Sequence, residues 1–323
     1  MSKDGSFHLL LGVIGMLSVA DVALAQDFPS KPINFVTSSA PGGGGDVLVR
    51  FLANRVQGLA GVSILVMNRV GAGGNIATNA VVEAKPDGYT VLLAPSSNVI
   101  ANKYVIKDTR ADAFKDLTPV ATVLQVGMGL VVTSKTEAAS VASLVQAFKA
   151  SAKPLNYGVG STTSILNAQM FLDLSGLTAT RIGYKSMPDT ANGVAGGEVD
   201  FAFVDATLAL GQAKQGRLKV LAVTPGTRLS SAPELPTIRE SGGIDFEYTN
   251  FWAAWAPANM PAPIVSKLAD WINRAVASPE AKEFFLNQGA EALTGSPEFL
   301  SSLMKQHDGL WSIAAKRANL RPE

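Results

Sequence analysis

Three times between Pro32 and Asn102, an apolar run ends in small polar residues and opens into a segment with helical spacing. "PINFVTSSA" leads through "PGGGGD" into "DVLVRFLANRVQGLA"; "VSILVMN" leads through "RVGAGG" into "NIATNAVVEA", closed by the turn "KPDG"; "YTVLLAPSSN" leads into a helix from about Val99. Short apolar runs bounded by turn residues read as strands, and apolar residues three and four apart read as helix faces. Parallel strands need crossovers of this length, so the repetition predicts a helix-flanked parallel sheet. All three loops then fall at the carboxyl ends of strands, where such sheets bind ligands.

A second set of units follows. "VGMGLVVTS", "LNYGVGS", "ATRIGYKS", "VDFAFVDA" and "GRLKVLAVT" read as strands, with helices over "SVASLVQAFKAS" and "TTSILNAQMFLDLSG". From "FEYTNFWAAWAPANM" the chain returns to the first unit and ends in helices such as "APIVSKLADWINRAVAS". With 323 residues, 47% of them hydrophobic, it can bury two cores. The expectation is an α/β chain of two domains, residues 26–126 with 250–323 and residues 127–249, crossing near Val126 and Thr249.

Residues 1–25 stand apart: Lys3, an apolar stretch from Leu9 to Ala20, then Ala23-Leu24-Ala25. This is the pattern of a secretory signal with an A-x-A cleavage site, too short for a membrane anchor, and it predicts export with a mature start near Gln26. The remainder carries 26 basic and 24 acidic groups and no cysteine. So weak a balance is no footprint for nucleic acid, and an exported fold without disulfides must rest on its cores. The periplasm fits best.

The loop "APGGGGD" invites a nucleotide reading, since glycines before a helix start bring backbone N–H groups onto an anion. The G-x-G-x-x-G register fails: from Gly42 the third glycine position holds Val47, and from Gly43 it holds Leu48. No phosphate-loop lysine follows. Enzyme chemistry finds little either. The mature chain has one histidine, His307, expected on a solvated face of the last helix, and no Cys, H-E-x-x-H or G-x-S-x-G. Ser302 and Lys305 have S-x-x-K spacing without its companion motifs. Neither metal nor cofactor is expected.

What remains is four neutral, hydrogen-bonding loops: Pro41–Asp46, Gly71–Asn75, Ser96–Asn98 with Ser96 and Ser97, and Ser161–Ser164. Singly, each is a turn with a helix cap. Together, at equivalent strand ends, they suit a carboxylate, because neutral donors hold it without a buried cation whose desolvation is costly.

The ordered series "PSKPINFVTSSAPGGGGDVLVRFLANRV", "VMNRVGAGGNIATNAV", "KPDGYTVLL", "LNYGVGSTTSI", "RIGYKS", "VLAVTPGTRLSSAPELPTIRESG" and "FWAAWAPANMPAPIVSKL" resembles the Bug (Bordetella uptake gene) or TctC-like family. Its members are periplasmic solute-binding proteins of tripartite tricarboxylate transporters. The resemblance covers nearly the whole mature chain. It implies a two-domain Venus-flytrap fold of type II character, closing as a monomer on a small carboxylic acid, a di- or tricarboxylate or an aromatic acid, and delivering it to the transporter's membrane components. A periplasmic enzyme acting on a small acid or ester with the same fold is the alternative.

By that resemblance, Pro41, Gly42, Gly43, Gly44 and Asp46, with Gly73, Gly74 and Asn75, hold one carboxylate. Ser161, Thr162, Thr163 and Ser164 meet the other end of the ligand. Asp205, at the end of an F-x-x-D-like strand, is either structural or a ligand contact. The chain departs from the family pattern at Val70, where proline is usual, at Ser186 in Tyr184-Lys185-Ser186, and at Ile165. Ile165, with Phe203 and Tyr184, suggests a less polar distal pocket open to an aromatic acid.

Overall fold

The computed structural model describes residues 28–107, 109–317, 320 and 322. The expected signal segment and cleavage site lie outside them. Two sheets organise the chain. In the first, β1 (Ile33–Thr37) pairs in parallel with β2 (Ile64–Asn68) and β3 (Thr90–Pro95). The second is built from β5 (Met128–Thr133), β6 (Leu155–Val159), β7 (Ala179–Gly183), β8 (Phe201–Asp205) and β9 (Leu218–Val223), in the order β7-β6-β8-β5-β9.

Both sheets are mixed rather than wholly parallel. β10 (Asn250–Pro257) runs antiparallel between β3 and β4 (Leu117–Val126), and β5 runs antiparallel to β8 and β9. The reason lies in the connections. β1, β2 and β3 run parallel through helical crossovers, and so do β6, β7 and β8, whereas β4, β5 and β10, at the passages between the sheets, pair antiparallel.

Local sequence explains the helices that shape the site. In α1 (Gly44–Ala60), Leu48, Val49, Leu52, Ala53 and Val56 recur on one face and are buried against the sheet and α9 (Ala262–Ala277). The helix stops at Gly61, whose φ of 72° places it in the left-handed region that favours glycine. After β3 the chain first makes a π turn, Ser97–Ala101, before the short α3 (Asn102–Val105).

The chain leaves the first sheet at Gly127 and returns to it at Asn250. Both crossings are tied to buried Thr224: its hydroxyl accepts from Met128 N at 2.9 Å, and its carbonyl accepts from Tyr248 N at 3.0 Å. One apolar cluster runs across the two units, joining Leu92, Trp255 and Trp311 to Phe171, Phe203 and Leu221. α11 (Pro297–Arg317) bridges them and carries His307 inward, between Tyr248 and Phe251. The expectation of a solvated histidine is therefore corrected. The helix is sandwiched between units, so its apolar face is wider than a one-sided pattern suggests, and His307 is only 3% exposed.

Candidate functional site

A cleft of about 810 Å³ opens between the two units. The first unit contributes the start of α1 at Gly44 and Gly45, and Ser97 after β3. No side chain caps α1, so the N–H groups of its first turn are left for a ligand at the positive end of the helix. The loop before it is held by Asp46. Its carboxylate accepts from Gly42 N at 2.8 Å, Arg50 Nε at 2.9 Å and Asn68 Nδ2 at 2.7 Å. These bonds, Arg50 foremost, lower its pKa to about 2. Gly42 takes φ 77°, and a Cβ on Gly45 would strike the Ser39 hydroxyl and the Trp252 ring, so both positions need glycine.

The second and third loops are bound to one another. Gly73 and Gly74 have φ of 58° and 99°, and Asn102 Nδ2 donates to Gly73 O at 3.0 Å and Asn75 Oδ1 at 2.7 Å. Ser96 is buried and donates to Asn250 Oδ1 at 2.7 Å. Across the cleft, Ser161 and Ser164 form a reciprocal cap on α5 (Thr162–Ser175): Ser164 N donates to Ser161 Oγ and Ser161 N to Ser164 Oγ, both at 3.1 Å.

Of the residues singled out by sequence, the structure brings Gly44, Ser97, Ser161, Thr163 and Asp205 to the cleft wall. Pro41, Gly42, Gly43, Asp46, Gly73, Gly74, Asn75, Ser96, Thr162 and Ser164 do not line it; they sit in the adjoining loops and caps. Tyr184 is elsewhere, its hydroxyl 2.9 Å from Glu198 Oε2. Phe203 is fully buried, stacked on Phe246 at 5.8 Å between centroids. The aromatic wall comes instead from Trp252 on β10 and Phe284 on α10 (Pro279–Asn287), with the fully buried Phe285 packed beside them. Those three sit in regular elements distant in sequence from every loop, where apolar residues read simply as core.

Among the described residues that line the cleft, Asp205 is the one titratable side chain, and no Lys, Arg or His accompanies it. It precedes α7 (Ala206–Lys214) in the capping position but makes no capping bond. The protein around it raises its pKa by desolvation alone.

With this geometry in place, comparison decides the family. The family described as tripartite tricarboxylate transporter family receptor matches residues 48–317. The chain belongs to it. This receptor is 31% identical to BugT of Bordetella pertussis, over 90% of the chain and 91% of that protein. It is equally identical, at 31%, to a UPF0065 protein of Bordetella bronchiseptica over 97% and 93%. Among solved structures, the periplasmic binding protein BugD superposes with a TM-score of 0.70 at 29% identity, covering 92% of the chain and all of BugD. An R. palustris protein solved with adipate gives 0.74 at 28% identity, again over 92% of the chain and 100% of that protein. The receptor thus has the two-domain periplasmic-binding fold, with a cleft between its two units. Among the described residues, no helix is long and apolar enough to cross a membrane.

Proposed function

We propose that the protein is exported to the periplasm and captures a small carboxylic acid with an apolar body for the membrane components of a tripartite tricarboxylate-type transporter. The observation that carries this reading is the uncapped start of α1 at the cleft wall, with Trp252 and Phe284 lining the same cleft and no basic side chain among the lining residues. Backbone N–H groups at a helix start take a carboxylate, and the aromatic wall takes the carbon chain or ring. Residues 26–126 with 250–323 and residues 127–249 would move as two bodies about the crossings tied to Thr224. Closure would then bury the acid and present a joint face to the membrane partner. The adipate seen in the R. palustris relative supports an acid of this size. Calorimetric titration with aliphatic and aromatic acids tests the reading: saturable binding of at least one acid, with solution scattering showing compaction, is expected. Absence of binding by any acid refutes it.

A further inference from the structure

The two walls of the cleft offer opposite chemistry. On the first unit the available groups are donors, the N–H groups of α1. On the second, besides the hydroxyls of Ser161, Thr163 and Thr207, stand an unpaired carboxylate and two glutamine amides. Asp205, Leu208, Gln212 and Gln215 recur at helical spacing along and just before α7, and all four line the cleft. The Asp205 carboxylate has neither a capping bond nor a charge partner, and Gln212 Oε1 is a buried acceptor without a donor. Among the lining residues, no cation could neutralise them.

Two acceptors left open on one helix face call for a donor. A plain dicarboxylate would bring a second anion against Asp205 as the cleft closed, and like charges in a shrinking, water-poor space repel strongly. An ammonium group would pair with the carboxylate, and a turn of the Gln212 side chain toward the cleft would let Oε1 accept a further hydrogen bond from the same end of the ligand. We propose that the Asp205–Gln212 face is the subsite for a cationic amine, and that the ligand is a carboxylic acid carrying such an amine at its far end. The inference rests on the carboxylate reading of the α1 end, and it adds the chemistry of the opposite end.

Three acids of equal chain length separate the possibilities: ε-aminocaproate, adipate and caproate, titrated calorimetrically near neutral pH into the wild-type protein, Asp205→Asn and Gln212→Leu. The shorter amino acid, diacid and monoacid sets are run alongside. The expected result is about tenfold or greater preference for the amino acid over both companions, lost in Asp205→Asn and reduced in Gln212→Leu, with circular dichroism unchanged. Equal or tighter binding of the diacid or monoacid, or a preference that survives Asp205→Asn, overturns the amine subsite and leaves the carboxylate reading standing. No binding of any acid overturns both.

Discussion

Asp46 and Asp205 occupy like positions, each where a strand gives way to a helix beside the cleft, and the protein treats them oppositely. Asp46 is surrounded by donors from its loop, its own helix and β2, and its pKa falls to about 2. Asp205 meets no donor, and its pKa rises by desolvation. The first is spent on holding the loop that presents α1. The second is left without a partner and faces the cleft. Partners, rather than residue type or topological place, separate a carboxylate used by the fold from one left open.

The strongest way to break that comparison is to neutralise each in turn. Asp46→Asn should cost about 3 kcal/mol in urea unfolding, because Arg50 loses its charged partner and the new amide NH2 is set against donors in a buried site. Asp205→Asn should stay within about 0.5 kcal/mol or gain stability. The sign follows from linkage. A depressed pKa stabilises the fold above the ordinary carboxylate range and loses that contribution as pH falls toward about 2. A raised pKa costs stability once the group is ionised, so removing the charge relieves it. Equal losses in the two variants would erase the distinction.

Gly44 sharpens the same contrast. A Cβ there meets nothing within 4 Å, so Gly44→Leu should project into the cleft and weaken ligand binding by about a hundredfold, or roughly 2.7 kcal/mol. The melting temperature should hold. Gly43→Leu is predicted to act differently, since its Cβ would press on Ala40 O at 3.1 Å and strain the loop that Asp46 organises.

His307 extends the comparison to a buried base. Burial lowers its pKa to about 4 from 6.5, and its Nδ1 has no partner. The unfolded chain binds the proton more readily between those values, so stability should fall on acidification by about 2 kcal/mol at about pH 5 and change no further once pH drops below the folded value. His307→Phe should flatten that slope in pH-dependent unfolding. A smaller loss than at Asp46 or His307 is expected at Ser161. Because its hydroxyl caps α5, Ser161→Ala should cost about 1 kcal/mol of stability. Loss of affinity with unchanged stability would instead place the hydroxyl on the ligand.

Much of the fold was legible because alternating strand and helix patterns are local. The runs ending at Thr37, Asn68 and Pro95 became parallel neighbours, and the loops after them lie on one side of the sheet. The antiparallel β10 was not legible, because "FWAAWAP" shows a strand without saying which neighbour it will pair. The candidate site divides similarly. Glycine loops and Ser/Thr caps announce helix starts, but whether a hydroxyl turns to the cleft or to its own backbone depends on cap geometry, as at Ser161 and Ser164.

By itself, then, the sequence determined the repeating strand–loop–helix units, the glycines that permit left-handed loops, and the helix starts that can hold an anion, since each depends on neighbours a few residues apart. Only the tertiary structure decided that Asp46 is consumed and Asp205 left facing the cleft, that His307 is buried, and that Trp252 and Phe284 form the apolar wall. Those outcomes depend on which groups meet across two sheets, where charge is stabilised or left uncompensated by atoms far away in the chain.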